Sequence, residues 1–115
     1  MEITWLGHSC FRLRGRQTTI VMDPCPPSIG YQIGRPSAHI VTVSHQHEDH
    51  NYTQGVTGGP RVLDAPGEYD IGGAYLTAIP TYHDGRKGAA RGPNLVFLVE
   101  MEGLTLCHLG DLGHL

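Results

Sequence analysis

Residues 40–50 read IVTVSHQHEDH: an apolar run, Ile40 to Val43, followed by three histidines and two acids between His45 and His50. A short apolar run of this kind, bounded by polar residues, is the pattern of a buried strand, so the cluster begins where a strand stops. In an extended segment residues i and i+2 project to the same side, and His45 and His47 can therefore approach one ion together. Asp49 and His50 follow where the chain should turn into helix, and their side chains can aim at a second position beside the first. Neutral imidazole nitrogen and carboxylate oxygen are donors that zinc accepts, and they suit manganese or iron as well. The bland alternative, a solvated His-rich turn, would crowd titratable groups with nothing to compensate them.

Upstream, Glu2–Leu6, Cys10–Leu13 and Thr18–Met22 read as short strands joined by Gly7-His8-Ser9 and Arg14-Gly15-Arg16-Gln17, a β-meander. Asp23-Pro24-Cys25-Pro26-Pro27 ends regular pairing, because proline donates no ladder hydrogen bond, and a loop follows to Ser37. Ile40–Ser44 is the buried strand, and Glu48–Thr53 a helical turn that Gly55 and Gly58-Gly59-Pro60 terminate. Arg61–Asp64, Glu68–Ile71, Ala74–Tyr82, Leu95–Met101 and Leu104–Leu109 are further strands, with Gly72-Gly73 and Glu102-Gly103 as tight turns. His83–Asn94 reads as a polar, glycine-rich loop. Nowhere do apolar residues recur with helical spacing over three turns, so no long amphipathic helix is expected. Leu95-Val96-Phe97-Leu98-Val99 is apolar without alternation, the mark of a strand covered on both faces. The cover comes either from other strands of this chain or from a second subunit or further polypeptide.

A length of 115 residues corresponds to one domain. The net charge of −3 gives no general attraction to nucleic acid or to an anionic membrane. No stretch approaches the roughly 18 to 20 apolar residues of a membrane span, and MEITWLGHSC lacks the basic-then-apolar pattern of a secretory signal. A soluble, cytoplasmic protein is the expectation. Cys10, Cys25 and Cys107 form no C-x-x-C pair and suit a reducing compartment as buried, inert thiols. The 16 glycines and 8 prolines fit short strands joined by tight turns.

His45-Gln46-His47-Glu48-Asp49-His50 resembles the signature of the metallo-β-lactamase-fold superfamily. Ile3-Thr4-Trp5-Leu6-Gly7-His8-Ser9, Met22-Asp23-Pro24, Pro66-Gly67-Glu68-Tyr69, Tyr82-His83-Asp84, Gly92-Pro93-Asn94 and His108-Leu109-Gly110-Asp111-Leu112-Gly113-His114 are similar to its branch of metal-dependent hydrolases related to ascorbate-6-phosphate lactonase. The resemblance implies that His45, His47 and His83 bind one metal, that Asp49 and His50 bind a second, and that Asp111 bridges the two. It implies that Asp23 sits beneath the site and holds it through hydrogen bonds. It further implies one or two Zn2+ ions, with Mn2+ or Fe2+ as alternatives, and hydrolysis by a metal-bound hydroxide that the catalytic Asp49 orients. The substrate would be a small molecule, a lactone or a phosphate-bearing compound. The family fold is an αβ/βα sandwich, and members continue for about another domain-sized stretch. This chain is therefore expected to be α+β and mostly β, a single half-domain over residues 1–115 without the C-terminal half, comprising roughly one sheet and its metal loops. Such a half should expose an apolar face and associate as a homo-oligomer that completes the fold.

Several groups carry rival readings. Arg86, Lys87 and Arg91 would receive an anionic substrate group or simply solvate a loop. Ser9-Cys10 beside His8, and Ser44 beside His45, put a nucleophile near a base, but no G-x-S-x-G elbow surrounds either. His8, His108 and His114 read as structural or pocket-lining and His39 as a surface residue. The alternative to an enzyme is a catalytically silent metal-binding or self-assembling half-domain. A nuclease of the same superfamily is disfavoured by the acidic balance.

Overall fold

Strands at the N-terminus pair with their neighbours because each joining turn is only a few residues long. The computed structural model describes residues 1–24, 36–45, 53–82 and 93–110. In it β1 (Glu2–Gly7), β2 (Cys10–Arg14) and β3 (Thr19–Met22) form the expected antiparallel meander, with Leu13 opposite both Ile3 and Ile20. β4 (Ile40–Thr42) then pairs with β3 in parallel, and β5 (Arg61–Leu63) with β4 likewise. Parallel neighbours need long crossovers, which here are residues 23–39 and 43–60; the second includes the 3-10 turn Thr53–Gly55.

A second sheet holds β6 (Gly67–Ile71), β7 (Ala74–Tyr82), β8 (Pro93–Met101) and β9 (Leu104–His108), each antiparallel to the next. Its two tight turns, Gly72-Gly73 and Glu102-Gly103, have positive φ at both central positions (57° and 84°; 53° and 78°). That geometry matches the twist of the flanking strands.

The two sheets pack face to face. Leu13, Ile20, Met22, Ile40 and Leu63 of the first meet Leu76, Ala78, Phe97, Val99 and Met101 of the second. A smaller cluster of Cys10, Val21, Ala38, Val41, Val43 and Val56 lies on the other face of the first sheet. The expectation of roughly one sheet is thus corrected, because residues 67–108 carry an apolar face of their own and bury it against residues 3–63. The run in β8 is covered accordingly. Leu95, Phe97 and Val99 belong to the core between the sheets. On the opposite face Val96 is buried, whereas its cross-strand neighbour Ile79 is exposed.

Among the described residues there is no α-helix, and none is long and apolar enough to cross a membrane. Cys10 is buried as expected, but Cys107 is exposed, since it lies on the outward face of the last strand. His39 is exposed, and its Nδ1 accepts the Thr19 N–H at 3.0 Å.

The β8–β9 turn reaches back to the first sheet. The Glu102 carboxylate accepts the Arg16 N–H at 2.5 Å and lies 3.6 Å from the Met1 amino group. These contacts, the Arg16 hydrogen bond foremost, hold the Glu102 carboxyl below its ordinary value despite its exposure. A depressed carboxyl stabilises the fold above its unfolded pKa, and that contribution disappears as pH falls through the folded one. Urea midpoints should therefore be lower for Glu102→Gln than for the parent at pH 7, and the gap should close by about pH 3.

Candidate metal centre

β4 stops at Thr42, two residues short of its expected end: Val43 N–H still bonds to Leu63 O of β5 at 3.0 Å, but Ser44 turns to other partners. Ser44 N–H donates to Asp23 Oδ1 at 2.7 Å, and Ser44 O accepts the Leu95 N–H at 2.7 Å. One residue thus ties the end of the first sheet to the start of β8 in the second. The ladder would place a strand partner here; a carboxylate takes its place.

Asp23 is fully buried and adopts φ 50°, a left-handed conformation that aspartate tolerates better than most residues. Its backbone N–H still bonds to Thr42 O at 2.8 Å, which fixes the side chain under Ser44. Ser44 Oγ–H donates to Asp23 Oδ2 at 2.6 Å, and Ser44 Oγ lies 2.9 Å from His45 Nδ1. A hydroxyl has one proton. With that proton given to Asp23, Ser44 Oγ accepts from His45, so Nδ1 carries the hydrogen and Nε2 the lone pair. This is the tautomer that ligation through Nε2 needs, oriented by a carboxylate through one intermediary. The donor chemistry of His45 therefore fits a divalent cation. It also removes the reading of Ser44 as a nucleophile with His45 as its base, since the hydrogen bond runs from the ring to the hydroxyl.

The second sheet contributes a matching set of anchors. Asn94 is fully buried; its Nδ2 donates to Leu109 O at 2.8 Å and to Thr81 Oγ1 at 3.1 Å. It thereby joins the end of β7, the start of β8 and the chain leaving β9. Gly110 passes so close that a Cβ placed on it would lie 2.5 Å from Asn94 Oδ1 and 2.5 Å from Ser44 Cβ. His108 Nε2 lies 3.0 Å from Ser9 O, and a carbonyl only accepts, so this nitrogen bears a proton. The ring stands edge-on to Phe11 at 5.8 Å, with Nδ1 3.9 Å from Asp23 Oδ2. His108 is thus a partly buried structural residue that ties the β1–β2 turn to the buried network.

The ends of β3, β4, β8 and β9 consequently meet at one place. His45 lies in this meeting point and is buried. His47, Asp49, His50, His83 and Asp111 lie outside the described residues, and among the described residues no group of three or more His, Cys, Asp and Glu is placed to hold an ion. Their described chain neighbours are part of the convergence: His45 precedes His47, Tyr82 precedes His83, and Gly110 precedes Asp111. Sequence reasoning missed Ser44 as a bridge and gave no role to Asn94 or Gly110. The signals were present in the dipeptides Ser44-His45 and Gly110-Asp111, but their meaning depends on contacts between residues far apart in the chain, from Asp23 to Ser44 and from Ser44 to Leu95 and Gly110.

Comparison with known proteins agrees with this fold. The model of the beta-lactamase superfamily domain matches residues 2–115. The UPF0173 metal-dependent hydrolase of Methanoculleus marisnigri is 32% identical over 136 residues, covering 96% of this chain and 58% of that protein. A candidate Zn-dependent hydrolase of the metallo-beta-lactamase superfamily from Thermotoga maritima superposes with a TM-score of 0.76 at 44% identity, covering 97% of this chain and 50% of that one. A candidate metal-dependent hydrolase from Parabacteroides distasonis shares the fold, with a TM-score of 0.73 at 22% identity. The chain spans about half the length of the relatives it matches. With the match running over residues 2–115, the chain belongs to the family of the beta-lactamase superfamily domain.

Proposed function

We propose that this chain carries the metal-binding part of a metal-dependent hydrolase. The observation that carries the reading is the relay Asp23–Ser44–His45, which presents His45 with its Nε2 lone pair at the junction of four strand ends. In this proposal His45, His47 and His83 hold one ion, Asp49 and His50 a second, and Asp111 joins them. Zinc is the first choice for a His and Asp donor set, with manganese or iron as substitutes. Bound divalent ions would lower the pKa of a coordinated water toward about 7 and polarise a carbonyl or phosphoryl oxygen of the substrate.

The chain's own residues do the rest. Asp23 and Ser44 hold the His45 ring, so that its ligating nitrogen need not reorganise when an ion arrives. Asp49 orients the attacking water and takes or passes its proton. Arg86, Lys87 and Arg91 follow His83 in sequence and would receive a negatively charged substrate group, which favours a phosphate-bearing small molecule, a phosphorylated lactone among them.

Metal content and turnover test the proposal together. The parent protein, loaded with Zn2+ and freed of excess, should retain metal by elemental analysis and hydrolyse a lactone or a phosphodiester. The double variant His45→Ala/His47→Ala should keep its far-ultraviolet spectrum and lose at least one equivalent. Retained metal without turnover on either substrate class would favour the catalytically silent half-domain. Absence of metal binding in the parent would remove the hydrolase and the metal-binding half-domain, leaving a self-assembling half-domain.

A further inference from the structure

β9 ends where its ladder could have run on. The turn Glu102-Gly103 makes Met101 and Leu104 a hydrogen-bonded pair, and by alternation the backbone groups of Val99, Phe97 and Leu95 also point to the β9 side of their strand. Ladder pairing stops at Phe97 and His108, however, and the Leu95 N–H goes to Ser44 O of the first sheet at 2.7 Å. Leu109 lies past the last ladder pair and is half exposed. A side chain catches its carbonyl: Asn94 Nδ2 donates to Leu109 O at 2.8 Å.

The partners of that amide fix its orientation. A carbonyl only accepts, so the atom facing Leu109 O is the nitrogen. The second Nδ2 hydrogen goes to Thr81 Oγ1 at 3.1 Å, and the Thr81 hydroxyl donates in turn to Asn94 O at 3.2 Å. A hydroxyl with one proton makes both bonds only in this arrangement. Both amide hydrogens are therefore committed, in a side chain with no exposure. Thr81 and Asn94 already stand opposite each other in the β7–β8 ladder, so what the amide adds is Leu109. The end of β7 and the chain leaving β9 are held to one point of β8.

We propose that Asn94 is a positioning residue, which sets the segment entering His83 against the segment entering Asp111; its role rests on the ligand set proposed above. Thr81 stands two residues before His83 and Leu109 two before Asp111, and two residues span at most about 7 Å. A displacement of either anchor is thus passed on to a ligand with little slack. Asp23 and Ser44 hold His45 through a separate set of bonds, so the two sides of the centre should fail independently.

Metal affinity of the full chain, read beside stability and tautomer, tests this role. Asn94→Asp keeps the shape of the side chain but puts an acceptor where the donor nitrogen stood, which leaves Leu109 O unmatched. The variant should stay folded by circular dichroism, bind Zn2+ about 10-fold more weakly and give altered visible bands with Co2+, while the His45 imidazole keeps its Nδ1–H by nitrogen chemical shift. Val99→Ala, in the same strand and in the core between the sheets, is the stability control: with a lowered urea midpoint it should keep the parental affinity and Co2+ bands. Thr81→Val removes one acceptor, leaves the Leu109 bond, and should fall between the parent and Asn94→Asp; it decides alone if Asn94→Asp does not fold. Parental affinity and Co2+ bands in Asn94→Asp, or in Thr81→Val where that variant decides, overturn the proposal and leave the metal reading in place. So does an equal loss of affinity in Val99→Ala. A parent that binds no metal removes the metal reading itself, and the role of Asn94 with it.

Discussion

Asp23→Asn is expected to give a folded protein that binds Zn2+ about 10- to 100-fold more weakly, the usual effect of disturbing a group that orients a ligand. The asparagine Oδ1 can still accept the Ser44 N–H, which keeps the backbone tie. Its Nδ2 then faces Ser44 Oγ as a donor where a carboxylate oxygen accepted. The hydroxyl must turn its lone pair toward Nδ2, and it no longer serves His45 Nδ1–H in the same geometry. The proton of His45 should redistribute toward Nε2, the nitrogen proposed to bind metal. Nitrogen chemical shifts of the metal-free imidazole report this directly: Nδ1–H in the parent, a rise in Nε2–H in the variant. Unchanged affinity with an unchanged tautomer would mean that the relay does not set the ligand. Asp23→Ala acts differently, because it takes the acceptor from two buried donors at about 1 to 3 kcal/mol each. Its loss should appear in the urea midpoint as well as in metal content.

The second large effect is expected at Gly110. Its φ of 65° disfavours any side chain, and an added Cβ would meet Ser44 Cβ and Asn94 Oδ1 at 2.5 Å, with Ser44 Oγ at 2.8 Å. Ser44 cannot retreat without disturbing Asp23 and Leu95, and Asn94 cannot without releasing Leu109 and Thr81. Left-handed strain costs about 1 to 2 kcal/mol and overpacking about 1 to 3 more, so Gly110→Ala should lose about 3 kcal/mol and reduce metal retention, because Asp111 follows directly. Gly103 supplies the control. It has φ 78° and nothing within 4 Å of a built Cβ, so Gly103→Ala should show the conformational part alone, about 1 to 2 kcal/mol. Equal losses in the two variants, measured by urea unfolding, would show that crowding against Ser44 and Asn94 contributes nothing.

Local features of the fold were the most legible. The meander β1–β3 and the turns at Gly72-Gly73 and Glu102-Gly103 follow from alternation and from residues that accept positive φ, and both operate within a few positions. The placement of β4 between β3 and β5 was not legible, since parallel pairing is decided by burial on both faces and not by any turn. The end of β4 illustrates the difference: Ile40–Ser44 reads as one apolar segment, yet Asp23, twenty-one positions earlier, takes the Ser44 N–H. The exposure of Cys107 escaped for a related reason, because a strand of alternating character does not say which of its faces will find a partner sheet.

The order of residues alone fixed that this chain makes short strands and tight turns and that imidazole and carboxyl groups crowd the exit of a buried strand, since backbone preferences and side-chain periodicity act over a few positions. Tertiary structure decided which sheet each strand joined and the tautomer His45 adopts. It also decided that Ser44 serves as a bridge between Asp23 and the start of β8. Those outcomes depend on which distant groups share a buried space, where a hydroxyl with one proton, or a glycine with no side chain, takes its role from the neighbours that surround it.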